Sequence, residues 1–127
     1  MKTVDQDLFD TFFSLSTKLG YPTYDYLPGK TAEYPFVVIG AVNIGQTLVK
    51  LAKIETVSLT IDIWGKREQR QKVSTIMDEL DTQAHLIKSL RGYRVAYSKM
   101  TTKQIIGDTS TSSFLWHGIL DLQMRII

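Results

Sequence analysis

Val57-Ser58-Leu59-Thr60-Ile61-Asp62-Ile63-Trp64-Gly65 alternates strictly, with aliphatic residues at 57, 59, 61 and 63. A period of two places those four side chains on one face and Ser58, Thr60, Asp62 and Trp64 on the other, which defines a strand with a core on one side only. Upstream, Tyr34-Pro35-Phe36-Val37-Val38-Ile39-Gly40 is short, β-branched and opened by a proline. Proline forfeits no ladder bond at a strand start, so a second strand is predicted from Pro35 through Val42. The segment between the two, Asn43 to Glu55, exceeds a tight turn and forms either a long β-arm or a loop. Downstream, Val73, Ile76, Met77 and Leu80 recur at helical spacing. This predicts a helix from about Arg67 to Leu80, with Lys66, Arg67, Arg70 and Lys72 on its wet side and a further turn or two through Ala84–Leu90.

The rest of the chain extends the same pattern outward. Leu8, Phe12, Leu15 and Leu19, widened by Phe9 and Phe13, predict a first helix from Asp5 to Leu19, capped by Asp5 or Asp7 and ended by Gly20. Tyr21 to Gly29 holds two prolines and three tyrosines, a surface connection too aromatic to be a solvated linker, so some of the tyrosines should pack down. Gly92 to Tyr97 reads as a third strand, and Ser98 to Ser113 as a polar loop in which Gln104-Ile105-Ile106 could pair as an edge. Phe114 to Ile126 alternates as a long closing strand. The order α-β-β-α-β-β groups sequential strands, so the expected fold is α+β: a mainly antiparallel four-stranded sheet with two helices packed on one face. At 127 residues a single domain spanning 1–127 is expected.

Composition narrows the functional classes. With no cysteine, disulfides, thiolate metal sites and cysteine nucleophiles are excluded. The start, Met1 to Asp7, is acidic where an export signal needs a basic region, and apolar runs such as Phe36–Ile39 fall far short of the roughly 20 residues that span a bilayer. A net charge of +2 is too mild to indicate nucleic-acid binding by itself. Its distribution is uneven: residues 1–33 carry 3 basic and 5 acidic side chains, and the remainder 12 and 8. Opposite local signs suit head-to-tail contact between copies, and unpatterned surface charge accounts for them equally.

Motifs for chemistry are sparse. His85 and His117 fall on different elements, and neither has the neighbours of a zinc site. Asp62 and Asp121 lie on the wet faces of their strands and, if those strands adjoin, could serve acid/base work or hold a hard cation. Without a third ligand or a basic partner, solvated strand positions that discourage edge pairing account for them better. Gly40 and Gly45 lack the Lys-Ser/Thr of a phosphate loop, and no Gly-x-Ser-x-Gly elbow occurs. Lys66 to Lys72 could touch phosphates, but Glu68 lies within it and Asp78, Glu79 and Asp81 follow, as on a solvated helix face. Trp64 is read either as a core-edge residue, turned inward at Gly65 to cap the helix–sheet seam, or as an anchor between subunits. No catalytic, cofactor-binding or metal-binding residue is assigned.

The proline-led strand at 34–40, the alternating strand ending in Trp64-Gly65, Lys66-Arg67-Glu68 and the helix bearing Val73, Ile76, Met77 and Leu80 resemble the tail completion proteins of long-tailed bacteriophages. These are also called tail terminators or tail-to-head joining proteins. The resemblance runs from about Phe9 to the C-terminus and rests on apolar patterns plus a Trp and a Pro. It implies a structural protein, not an enzyme, that needs no cofactor. It also implies a ring, usually of six copies, that caps the tail tube, ends tail growth and joins the head connector. The implied partners are further copies of the chain, the tail tube protein and the head–tail connector, without membrane or specific nucleic acid, DNA being touched only passively in the channel. The implied location is the tail–head junction of the virion, reached from the host cytoplasm. Within that reading the expected assembly surface comprises Leu48, Val49, Lys50, Leu51, Lys53 and Ile54 of the arm, Trp64, and Lys103, Ile105 and Ile106 of the polar loop. The rival readings are a small-molecule-binding or hydrolytic α+β enzyme with a pocket over the open sheet face, and a nucleic-acid module using the basic helix.

Overall fold

The alternating stretch forms the middle of β3 (Ala52–Lys66), the longest strand of the sheet. It lies between β2 (Phe36–Val49) and β7 (Leu115–Ile126), both antiparallel to it. The computed structural model describes residues 3–29, 31–49, 52–97 and 102–126, without the side chains of 46–49, 52–54 and 97. Val57, Leu59, Ile61 and Ile63 are each at most 1% exposed, as the period of two requires. Facing them are Leu120, Leu122 and Met124 of β7 and Val37 and Ile39 of β2, all buried in the same apolar cluster.

Two helices cover this face. In α1 (Val4–Lys18), Leu8 and Phe12 enter the cluster, and in α2 (Arg70–His85) Val73, Ile76, Met77, Leu80 and Ala84 do so. Thr3, rather than Asp5 or Asp7, caps α1 by accepting a hydrogen bond from Gln6 N, and the two aspartates occupy the first turn, where the helix dipole favours them. A 3₁₀ turn, Arg67–Gln69, leads from β3 into α2. The close approach of α2 depends on Gly118 of β7, where a Cβ would come within 2.8 Å of Met77 Sδ and Val73 Cγ1. A side chain at that point would push the helix off the sheet.

The expected four-stranded sheet is wrong, although the α+β class and the placement of both helices stand. The sheet is mixed and curled, with seven strands among the described residues in the order β1-β2-β3-β7-β5-β4 and β6 also on β7. The additional strands are β1 (Thr23–Tyr24), parallel to β2; β4 (Ser89–Leu90); and β6 (Thr102–Asp108). Two-residue strands carry no periodicity to read. The strand β6 lies in the stretch expected to be mostly loop, and it has no apolar alternation because most of its side chains are exposed. The expected helical turn after Ala84 is also absent, since α2 ends at His85 and the chain turns into β4 and then β5 (Tyr93–Tyr97). That hairpin turns at Arg91 and Gly92, both at positive φ, the geometry that two-residue hairpins favour. Arg91 N donates to Asp7 Oδ2 at 2.9 Å, fixing the turn to the start of α1.

The segment 43–55 is the long β-arm: β2 and β3 stay paired out to Val49 and Ala52. Gly40 and Ala41 together face Thr60, a bulge that shifts the register by one residue. Among the described residues β7 joins β3 from Glu55 onward, and Ala52, Lys53 and Ile54 pair with β2 alone.

The tyrosine-rich connection packs down in part. Tyr24 meets Phe36 edge-on at 5.7 Å, and Tyr26 is 69% exposed. Ser16, fully buried, lies 2.6 Å from Thr23 Oγ1, whose own hydroxyl donates to Tyr21 O. Tyr21 donates its phenolic proton to Glu79 of α2. Burial, then that hydrogen bond and the Glu79 charge, push the Tyr21 pKa up to about 12. An unfolded tyrosine titrates near 10, so this contribution to stability is complete below pH 10 and is lost as pH rises through about 12. We therefore expect stability to fall between pH 10 and 12, and Tyr21→Phe to flatten that fall in denaturant titrations at pH 9, 10, 11 and 12.

Candidate functional site: the open face of the sheet

Opposite the helices, β3, β7 and β6 present a second face whose side chains bond to one another. Trp64 and His117, directly paired across β3 and β7, stack with ring centroids 3.9 Å apart and planes 9° apart. His117 Nε2 lies 2.7 Å from Asp62 Oδ1, and the two side chains are 17% and 28% exposed. One step further along, Thr60 Oγ1 donates to Asp121 Oδ1 at 2.6 Å and Thr102 Oγ1 donates to Oδ2 of the same carboxylate at 3.2 Å. The cross-strand register produces these contacts directly, because residues facing each other in an antiparallel pair share a face.

The strands carrying Asp62 and Asp121 do adjoin, as the carboxylate-pair reading required. The register sets Asp62 opposite Ile119 and Asp121 opposite Thr60, so the two acids stand diagonally, each with its own partner. His85, at the end of α2, donates from Nδ1 to Asp81 O at 2.9 Å and lies on a different element from His117. Among the described residues no group of three or more metal-ligating side chains comes together. Asp108, at the end of β6, accepts hydrogen bonds from Ser110 Oγ and N, and these hold its carboxyl below the usual carboxylate range.

Trp64 does not turn inward at Gly65. The pairing of β3 with β7 runs in unbroken register through Trp64 and Gly65, which leaves the indole on the open face. Trp116 takes the seam instead, donating from Nε1 to Arg67 O at 2.9 Å. Beside it, Arg70 lies over the Trp116 ring at 5.2 Å, Arg67 over Phe114 at 5.4 Å, and the two rings meet edge-on at 4.8 Å. Part of the basic stretch is thus laid on aromatic faces, where cation–π attraction holds each guanidinium. The sequence reading missed this arrangement; its signal was two aromatics spaced by two at the head of the closing strand.

The expected assembly residues are spread over the molecule. Lys103 ion-pairs with Asp81 at 2.8 Å and approaches Asp78 at 3.9 Å, linking β6 to α2. Ile105 packs against the core cluster, and Ile106, on the open face opposite His117, is 39% exposed. Leu48, Val49, Lys53 and Ile54 belong to the arm's paired backbone, their side chains lying outside the described residues. Lys50 and Leu51 are also outside the described residues. Surface depressions lie toward the margins of the sheet, one beside Tyr34, Arg67 and Phe114, another between α2 and β6 at Ser74, Asp78 and Lys103.

No protein-family model matches the chain, and no curated protein matches it. Among solved structures, it is similar to a chain of the virion of a native gene transfer agent particle, with a TM-score of 0.68 and 11% identity. That match covers 99% of this chain and 98% of the other. A second solved structure matches with a TM-score of 0.58 and 11% identity, over 97% of this chain and 89% of that one. The chain therefore shares its fold, nearly end to end, with a component of a virion.

Proposed function

We propose that this chain is a structural protein of a phage or prophage particle, and within it the ring, usually of six copies, that caps the tail tube and joins it to the head connector. The observation that carries this reading is the end-to-end correspondence with the virion chain, 99% of one and 98% of the other. The shared unit is the whole fold, not a recurrent substructure. The narrower assignment to tail completion rests on the proline-led strand, the Trp64-Gly65 strand and the helix after it. Its partners are further copies of the chain, the tail tube protein and the connector, with DNA passing through the ring, at the tail–head junction of the virion and in the host cytoplasm during assembly.

An assembly role rather than an enzymatic one suits the chemistry of the open face. The His117 imidazole is engaged by Asp62 and covered by Trp64, and the neighbouring Thr60 hydroxyl is held by Asp121. Such cross-strand pairs stiffen a surface on which other copies can pack.

Deleting the gene from its phage or prophage is expected to yield filled heads and separate tails of irregular length, with joined particles restored by a plasmid copy. Negative-stain electron microscopy reads this directly. Normal joined particles from the deletion strain would refute the assignment.

A further inference from the structure

Two long strands of the sheet leave their outer edges open, in complementary halves. On one side, β1 covers β2 at Val37 and Val38 only, so from Gly40 to Val49 the outer edge of β2 carries no strand among the described residues. On the other side, β7 is followed by two strands in line. The strand β5, with β4 beyond it, lies beside Met124–Ile126, and β6 lies beside Leu115–Asp121. The outer edge of β6 likewise carries no strand among the described residues. Measured along β3, β6 is level with Thr60–Lys66, while the open half of β2 is level with Ala52–Thr60, the two meeting at Thr60. Each side is thus open where the other is blocked, by β1 in one case and by β4 and β5 in the other. Exposed strand edges present rows of unpaired N–H and C=O groups, which are templates for another strand.

We propose that β6 of one copy pairs with the open half of β2 of the next, continuing one sheet from subunit to subunit. This deepens the assembly reading above and rests on it. The strands β2 and β7 run one way and β3 and β6 the other, so a neighbour rotated about an axis near the strand direction brings its β2 antiparallel to β6. The register then selects the offset. Ile106 is level with Trp64 through His117, and Asn43 is level with Ser58, six residues earlier on β3. Ile105 is level with Ile63 through Gly118, and Ile44 with Val57, again six. A slide of six residues, about 20 Å at 3.3 Å per residue, carries the neighbour's β1 past the end of β6 and clear of it. Because six is even, faces are preserved: Asn43 meets Ile106 on the open face, and Ile44 meets Ile105 on the helix-bearing face.

That match gives Ile44 a partner. It is 54% exposed on the isolated chain, and the pairing sets it directly against Ile105, which already packs on the core. A stagger between successive subunits tilts the strands to the axis, as closing a sheet around an axis requires. Each copy offers one edge of each kind, so the contact is head-to-tail and can close into a ring.

The chain has no cysteine, which makes the contact testable by cross-linking. Within one copy β2 and β6 are separated by β3 and β7, three strand spacings or about 14 Å, well beyond the reach of a disulfide. The purified Asn43→Cys, Ile106→Cys protein, oxidised or treated with a bismaleimide shorter than that gap, should give a ladder of covalent oligomers on non-reducing gels. Either single variant should give none. Light scattering on the unmodified protein supplies the second readout, with association expected at high concentration. A protein that associates without giving the ladder, one whose single variants cross-link equally well, or one that stays monomeric would each overturn the edge contact. None of these outcomes bears on whether the gene deletion separates heads from tails, so the two readings fail independently.

Discussion

Phe12→Ala is expected to lower the unfolding free energy by about 3–5 kcal/mol, the range for removing a buried phenylalanine. Phe12 is 0% exposed and sits with Leu8 at the contact of α1 with the sheet. Truncation leaves a cavity between elements that meet along this narrow apolar stripe, and stability of this class of domain totals only about 5–15 kcal/mol. In a domain of this size the loss corresponds to a drop in melting temperature on the order of 10–20 °C. Ser14→Ala, at an exposed position of the same helix, should change stability by no more than about 0.5 kcal/mol. Urea titrations of the three proteins check this, and a small loss for Phe12→Ala would mean that α1 is not fastened by its apolar stripe.

Legibility in the sequence followed the burial of each element. Both long helices and the strands β2, β3 and β7 were readable, because each buries one face and that burial writes a period into the chain: Leu8 and Phe12, Val73 to Leu80, Val57 to Ile63. The strand β6 was hidden because Thr102, Lys103 and Gln104 are exposed and its backbone ladder to β7, rather than its side chains, makes it a strand. The strands β1 and β4 are two residues each and exist by pairing with longer neighbours. The same distinction governs the site. That Asp62, Thr60 and Trp64 share a face followed from alternation alone, whereas their partners His117, Asp121 and Thr102 depend on a register between strands more than fifty residues apart in one case and nineteen in another. Periodicity reports which way a side chain points and is silent about what it meets.

Ile61 and Thr60, adjacent in the chain and opposite in orientation, give the sharpest test of that register. Ile61 is 0% exposed and is flanked by Ile39 on β2 and Leu120 on β7, so Ile61→Ala should cost about 2–5 kcal/mol. Thr60 lies on the open face, where its hydroxyl donates to Asp121 at 2.6 Å. A hydrogen bond to a carboxylate is worth about 1.5–3 kcal/mol, and because Asp121 retains Thr102 and access to water the loss should fall at or below the bottom of that range. Ile61→Ala should therefore be the larger loss in equilibrium unfolding, by at least about 0.5 kcal/mol. Asp121→Ala combined with Thr60→Ala should cost less than the sum of the single changes, since residues sharing a bond are coupled. Equal losses at 60 and 61 would mean that the helix-bearing and open faces have been interchanged, and with them the pairing of His117 with Asp62.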